Sequence, residues 1–330
     1  MIVNYPAGKP RKLPDVPASA WLIADARTGQ VLAAKDPHGY YRPASTLKVL
    51  TAVSLIPVLN PSSSVLATRM AASQTPNDVG LLAGRSYQVS DLFTALLTIS
   101  ANDAAVALTQ GTGSYARGMG IINAEAHHLQ ADDTVAVDPN GLDAPGQHTS
   151  AYDLALIARQ ALAMPAFMKY DETRTALFPV KPHKNVGLWN QNTLISDYRG
   201  GIGGKIGWTS AAGATYVGLA RRNGVTLIVT LMHCTALQEI TSGEKLLDWG
   251  FAEDGKVKPV GTLVAPQPAV TARPAAKPTR AARLQDRQVA AAGHSALSNP
   301  SVIAATGFTV FVVLAAAVGF AYSRRQQGAR

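Results

Sequence analysis

The chain has one cysteine, Cys234, in 330 residues, so no internal disulfide can form and cysteine usage leaves the redox compartment open. Cys234 falls in the apolar run 225–234, read as a buried strand in which a lone thiol serves packing. There is no His-Glu-x-x-His, and the neighbours His127 and His128 point apart on a helix and read as a surface pair. His183 and His233 have no recognisable partner and His148 reads as a loop contact, so metal catalysis finds little support. No internal repeat is evident. Residues 1–20 hold no apolar signal core, being polar and proline-rich instead, and residues 302–322 hold no charge at all.

Charge is unevenly spread. The chain carries thirty Lys and Arg against twenty-one Asp and Glu, a net charge of +9. Residues 256–330 hold ten of those basic residues and one acid, Asp286, which leaves twenty of each sign in residues 1–255. A neutral main body argues against a nucleic-acid grip. The basic stretch 256–287 is rich in alanine and proline and is expected as an extended, poorly ordered linker, with anionic wall polymers or lipid headgroups as its partners or no partner at all.

The uncharged run 302–322 is twenty-one residues of mostly Val, Ala, Phe, Leu and Ile, enough to cross a hydrocarbon core of ~30 Å at about 1.5 Å per residue. Arg324, Arg325 and Arg330 follow it. The positive-inside tendency makes this tail cytoplasmic and the large domain extracytoplasmic, a single-pass protein of the cell membrane. That placement requires export, so a signal peptide is expected upstream of the given start. The alternative is a tail-anchored protein facing the cytoplasm.

Three short motifs occur in order: Ser45-Thr46-Leu47-Lys48, Ser100-Ala101-Asn102 and Lys205-Ile206-Gly207. With residues 45–58 helical, Ser45 and Lys48 share one face of the first turn and can touch. A serine hydroxyl is a poor nucleophile near neutral pH without an adjacent base, and a lysine serves only when its pKa is depressed. Burial and a second cation both lower it, and Lys205 is the candidate second cation. Free N–H groups at the helix start favour a developing alkoxide. Taken singly each motif has an ordinary reading: a capping serine with a solvated lysine, a helix end followed by a new cap, a strand leaving a glycine-rich turn. The ordered trio is the signature of penicillin-interacting serine enzymes.

With its flanking text, the sequence resembles the serine D-alanyl-D-alanine carboxypeptidases, the low-molecular-mass penicillin-binding proteins, over residues 18–251. The supporting pieces are the hairpin formed by residues 20–25 and 31–35 about Arg27-Thr28-Gly29-Gln30, Arg42-Pro43-Ala44 before the serine, and Val89-Ser90-Asp91-Leu92 leading to Ser100-Ala101-Asn102-Asp103. Asp138-Pro139-Asn140-Gly141-Leu142-Asp143, followed by His148-Thr149-Ser150-Ala151-Tyr152-Asp153-Leu154, completes them. The resemblance implies that Ser45 attacks the carbonyl between two terminal D-alanines of a peptidoglycan stem peptide and forms an acyl-enzyme that water releases. Lys48 takes the proton from Ser45, Ser100 helps pass it to the leaving amine, and Lys205 holds the field positive. Asn102 is expected to bind the substrate's backbone amide. The N–H groups of Ser45 and Thr209 are expected as the oxyanion hole, with Gly207 in the substrate cradle. No cofactor is expected, and β-lactams are expected as covalent inhibitors.

One departure stands out, because the family has threonine or serine where this chain has Ile206. Losing that hydroxyl removes a charge-assisted hydrogen bond to the substrate carboxylate, on the order of 1.5 to 3 kcal/mol, and Thr209 or Lys205 is the candidate compensator. A β-lactamase would need a deacylating glutamate in a Glu-x-x-x-Asn loop, and neither Glu125 nor Glu172 has asparagine four residues later. Three readings follow: a D,D-carboxypeptidase of cell wall synthesis, a catalytically weak wall-peptide-binding member of the same fold, and a serine esterase or amidase.

Patterning predicts a mixed α+β domain. The hairpin 21–35 comes first, residues 60–165 are mostly helical with Ser90 and Thr149 or Ser150 as caps, and strands follow at 205–210, 214–221 and 225–234 with Arg222-Asn223-Gly224 as the last turn. A closing helix is predicted over 237–249. Early and late strands flanking helices predict one sheet joining both ends of the sequence. The resemblance makes that an antiparallel five-stranded, β-lactamase-like sheet flanked by helices, with a helical subdomain and the site at their junction. The expected organisation is a proline-rich segment at 1–17, the catalytic domain at 18–252, a linker at 253–300, a transmembrane helix at 301–323 and a basic tail at 324–330.

Overall fold

The computed structural model describes residues 11–268. Strands β1 (Ala18–Asp25) and β2 (Gln30–Lys35) form the opening hairpin. A single 3-10 turn, Ala44–Thr46, leads into α1 (Leu47–Leu55), so the helix predicted from residue 45 begins as a tighter turn. Then come β3 (Ser64–Leu66), α2 (Arg69–Ala72), β4 (Ser86–Gln88), α3 (Val89–Thr98), α4 (Asn102–Gly111), α5 (Tyr115–His128), α6 (Ala151–Leu162) and α7 (Pro165–Asp171). The second half holds β5 (Thr175–Lys181), β6 (Lys184–Trp189), α8 (Leu194–Asp197), β7 (Gly201–Thr209), β8 (Gly213–Arg222), β9 (Val225–Cys234), α9 (Glu239–Glu253) and β10 (Gly261–Thr262).

The main sheet is antiparallel with strand order β10-β2-β1-β9-β8-β7. The first strand lies against the last long one, so the sheet joins both ends of the domain as patterning predicts. It has six strands rather than five. The sixth is the two-residue β10, which pairs Gly261 with Val31 and Thr262 with Gln30. Its two letters carry no alternation by which a strand could be recognised. Asn223 and Gly224, both at positive φ, make the predicted tight turn between β8 and β9. Ser150 caps α6 by accepting the Asp153 N–H, whereas Ser90 lies inside the first turn of α3 and caps nothing.

Alternation along the strands divides the core in two. Leu22, Ala24, Val217, Leu219, Ile228 and Met232 face the helical layer of α1 and α3 to α7. Trp21, Ile23, Tyr216, Val229 and Leu231 face α9 on the other side. On edge strand β7 the same alternation sends Ile206 toward the α9 layer.

Two segments expected to lie outside the domain pack onto it. Leu13 and Val16 join the α9 layer, and the Trp249 indole N–H donates to the Arg11 carbonyl. After α9, residues 256–268 run back as a strap rather than leaving as a linker. Val257 and Leu263 are buried, Arg159 donates to the carbonyls of Leu263, Ala26 and Arg27, and the Gln267 N–H donates to the His128 carbonyl. Alanine and proline richness signals a lack of helix or strand pattern, and two buried apolar side chains with paired backbone groups suffice to hold such a segment down. No helix among the described residues is long and apolar enough to cross a membrane. The apolar run 302–322, for which a transmembrane helix is expected, lies outside the described residues.

The strap yields a test. Leu263→Ala removes a fully buried side chain and should lower the unfolding free energy by about 2 to 4 kcal/mol in urea melts. An unchanged midpoint would mean the strap is free in solution.

Candidate active site

The Ser45 turn is clamped from three directions. The Pro43 carbonyl accepts from Thr46 Oγ1 (2.5 Å) and from Thr215 Oγ1 of β8 (2.7 Å), while Thr51 Oγ1 of α1 donates to the Pro139 carbonyl. Ala44 sits at φ +45, a left-handed conformation that costs a non-glycine residue of order 1 to 3 kcal/mol and persists only under such constraint. Two glycines make the closeness possible. A Cβ on Gly141, itself at φ +81, would stand 1.7 Å from the Ala44 carbonyl oxygen, and one on Gly207 would stand 2.6 Å from the Ser45 amide nitrogen.

Lys48 projects from α1 into a fully buried space. Its Nζ donates to Ser45 Oγ (2.9 Å), to Asn102 Oδ1 (2.7 Å) and to the Asn140 carbonyl (2.8 Å). Burial pushes the lysine well below its ordinary range and the charge of Lys205 lowers it further, against the opposing charges of Asp138 and Asp103. Asn140 O can only accept. Asn102 presents its oxygen to the lysine because its Nδ2 donates to the Thr75 carbonyl (2.8 Å). When the amine is neutral, its two protons therefore go to these acceptors and its lone pair is left for the Ser45 hydroxyl.

Both neighbouring acids are tied to backbone. Asp138 Oδ1 accepts the N–H groups of Asn140 (2.7 Å) and Gly141 (2.8 Å), an Asx turn that aims the Asn140 carbonyl at Lys48. Asp103 accepts from the N–H groups of Val79, Gly80 and Leu81, fixing loop 75–81 over the start of α4. Burial raises Asp103, against those N–H donors.

Ser100 precedes α4 at φ +64. Its hydroxyl is buried without a hydrogen-bond partner, free to rotate toward an incoming group. Lys205, on β7, is 2 % exposed. Its Nζ donates to the Ile206 carbonyl (2.8 Å), and burial pushes it down to about 7, opposed by Asp171. The Thr209 hydroxyl, expected as a compensator for Ile206, donates to Asp143 Oδ1 (2.9 Å) and accepts the Ala212 N–H (2.9 Å). Asp143 also pairs with Arg42 at 3.4 Å, so this cluster bridges the Asn140 loop to β7.

The structure thus joins Ser45, Lys48 and Asn102 by direct hydrogen bonds, brings Gly207 against the Ser45 amide and couples Lys205 to Lys48 through charge. Asn102, expected on the substrate amide, has its oxygen on the lysine. Sequence reasoning missed Asn140, whose contribution is a backbone carbonyl; the signal was the turn-forming Asp138-Pro139-Asn140-Gly141. The histidines stand apart from this site. His127 meets Asp132 at the surface, His148 binds the Gly146 carbonyl and stacks on Tyr40, and His233 contacts the Ala212 carbonyl. Among the described residues no group of three or more His, Cys, Asp or Glu could hold a metal ion.

A family model described as D-alanyl-D-alanine carboxypeptidase matches residues 7–236. The D-alanyl-D-alanine carboxypeptidase DacB2 of Mycobacterium tuberculosis is 38% identical over 257 residues, covering 76% of this chain and 88% of that protein. DacD of Salmonella typhimurium, another D-alanyl-D-alanine carboxypeptidase, is 32% identical over 72% of this chain, which spans 63% of that relative's length. Among solved structures, a D-alanyl-D-alanine carboxypeptidase from M. tuberculosis superposes with a TM-score of 0.74 at 38% identity, covering 78% of this chain and 99% of that one.

The clamp predicts that Gly141→Ala destabilises the fold by about 3 kcal/mol, combining left-handed strain with a backbone clash. A denaturant melt within about 0.5 kcal/mol of wild type would contradict the packing described for Ala44.

Proposed function

The chain belongs to the D-alanyl-D-alanine carboxypeptidase family, and from that membership we propose that it is a serine-type D,D-carboxypeptidase removing the terminal D-alanine from peptidoglycan stem peptides. The observation that carries the reading is the Ser45–Lys48 contact, with a buried lysine whose other two partners only accept.

In this mechanism neutral Lys48 takes the hydroxyl proton as Ser45 Oγ bonds to the carbonyl carbon of the penultimate D-alanine. The Ser45 N–H stabilises the oxyanion, joined by an N–H on β7 near Thr209. The intermediate collapses with cleavage of the C–N bond, and the proton from Lys48 reaches the departing amine of D-alanine through the unpartnered Ser100 hydroxyl. Water then attacks the acyl-enzyme with Lys48 again as base, returning Ser45 and releasing the shortened peptide. Strand β7 is the last in the sheet order, so its outer edge can receive an extended peptide as an added strand beside Ser45. Lys205 supplies positive charge for the terminal carboxylate. A β-lactam ring opened by Ser45 keeps its leaving group attached, which supports slow release and inhibition.

Membrane anchoring on the extracytoplasmic side is part of the same proposal. Its support is the uncharged run 302–322 followed by Arg324, Arg325 and Arg330. A second reading, a weakly catalytic wall-peptide binder, is favoured by Ile206 and by the commitment of the Thr209 hydroxyl to Asp143.

Ser45→Ala should abolish both fluorescent penicillin labelling and D-alanine release from a peptide ending in D-Ala-D-Ala; retained release would remove Ser45 from the mechanism. Acylation requires Lys48 deprotonated, so its rate should rise with pH through the lowered pKa of that lysine. Asn102→Asp places a carboxylate on the amine, raises its pKa and should move the acid limb of the rate profile to higher pH; an unmoved limb would exclude Lys48 as the base. Because the Ile206 side chain leans on the α9 layer, Ile206→Thr tests the second reading directly: a gain in kcat/KM of about ten- to a hundredfold would show that a hydroxyl at 206 reaches the carboxylate, and no gain would remove Ile206 as the ground for that reading.

A further inference from the structure

Behind Lys205 lies a carboxyl group that the mechanism above does not use. Asp171, the last residue of α7, is 1 % exposed. Its Oδ2 accepts the Gly204 N–H of β7 at 2.7 Å, and its Oδ1 is buried without a partner. Gly204 has φ +124, a conformation that glycine reaches without a Cβ penalty, at the point where β7 makes this bond. The neighbouring glycines locate the acid relative to the site. A Cβ on Gly203 would stand 2.1 Å from Asp171 Oδ2, and one on Gly207 would stand 2.6 Å from the Ser45 amide nitrogen. Lys205 sits between these two positions, so the strand presents in succession the acid, the lysine and the nucleophile, each step one pleat repeat of about 6 to 7 Å.

We propose that Asp171 is a positioning residue for Lys205, the buried counter-charge that keeps this lysine's ammonium charged and facing the cleft. The proposal rests on the D,D-carboxypeptidase reading for its kinetic consequence alone. The charge matters more in this chain than the motif would ordinarily demand. Ile206 offers no hydroxyl and leans on the α9 layer, and the Thr209 hydroxyl is held by Asp143, so a substrate carboxylate depends on Lys205.

Other charges facing the pair set its behaviour. Lys48 from α1 and Lys205 from β7 repel one another, Glu172 just past α7 disfavours ionisation of Asp171, and the Tyr216 phenol of β8 also feels Asp171. Burial pushes Asp171 up to about 7 and Lys205 down to about 7, and each group's charge opposes the other's shift. Two groups so coupled titrate as a pair. Removing the carboxylate withdraws the influence that raises Lys205, so the lysine must lose its proton at lower pH.

The test is an NMR titration of the full chain labelled at lysine Cε and aspartate Cγ, with Lys205 and Asp171 assigned by loss of their signals in Lys205→Arg and Asp171→Asn. In the wild type the two signals should share inflections. In Asp171→Asn the Lys205 inflection should move down by about one pH unit or more, and Asp171→Glu should restore it. The alkaline limb of penicillin acylation should move to lower pH in step with that shift. The KM for a peptide ending in D-Ala-D-Ala should rise about tenfold with a smaller change in kcat. A Lys205 inflection unmoved in Asp171→Asn overturns the proposal whether or not the protein turns over substrate, and so does an alkaline limb that stays in place. If Lys205 shifts as expected while wild type releases no D-alanine, the activity reading fails and the Asp171–Lys205 coupling stands. Should Asp171→Asn not fold, the assignment falls to Lys205→Arg alone, and absence of a shared aspartate inflection in wild type overturns it.

Discussion

An amine buried against a hydroxyl, with no carboxylate in hydrogen-bonding reach, is the interaction around which this domain is built. A lysine in an apolar interior either ionises at a cost of several kcal/mol or gives up its proton. Burial and the charge of Lys205 drive Lys48 toward the second outcome, and Asn102 Oδ1 and the Asn140 carbonyl, neutral acceptors, orient the amine without bringing a full counter-charge to it. The two acids close enough to be felt, Asp138 and Asp103, turn their oxygens to backbone N–H groups of loops 138–142 and 79–81 and, for Asp138 Oδ2, to the Gln147 side-chain amide. They shape the walls of the site and leave the amine without a direct counter-ion.

Topology supplies the second wall. Because β1 pairs with β9 and β7 ends the sheet, the strand carrying Lys205 is the one free to lie along the Ser45 turn. Gly207 allows its backbone to reach the serine amide, and Gly141 allows the opposite loop to reach Ala44. A methyl group at either position would force the walls apart. The close approach of β7 and the Asn140 loop to the Ser45 turn thus depends on two absent side chains as much as on the polar ones present.

Much of this was legible in the letters. The three-residue spacing of Ser45 and Lys48, the Asn223-Gly224 turn, the Ser150 cap and the joining of early and late strands all follow from local rules that tertiary contacts did not override. What was not legible has a common physical cause. The Asn140 carbonyl and the two-residue strand β10 act through backbone groups, which every residue carries and no composition reports, and the strap at 256–268 adds to such groups two scattered buried side chains, Val257 and Leu263, that make no pattern. Asn102 was assigned from resemblance to the substrate, whereas its oxygen lies on Lys48. A side-chain amide has two ends, and only the position of the Thr75 carbonyl decides which end meets the amine.

Two lysines in one dry cleft repel, and their division of labour follows from where the remaining charges sit. With ε near 20, two unit charges several ångströms apart still interact by a few kcal/mol, so ionising one amine biases the other toward neutrality. Lys48 is in direct contact with neutral acceptors alone, and burial together with the Lys205 charge lowers its pKa against the more distant Asp138 and Asp103. Lys205 has the Asp171 carboxyl beside it on the same face of the strand, and its amine donates to the Ile206 carbonyl, so it is the amine better able to stay charged. Under the proposed mechanism that asymmetry leaves proton transfer to the lysine beside the serine and electrostatic attraction to the one on the strand, with identical side chains in both places. An isoleucine at 206 sharpens the division, since on this strand the charge must do alone what a charge and a hydroxyl would otherwise share.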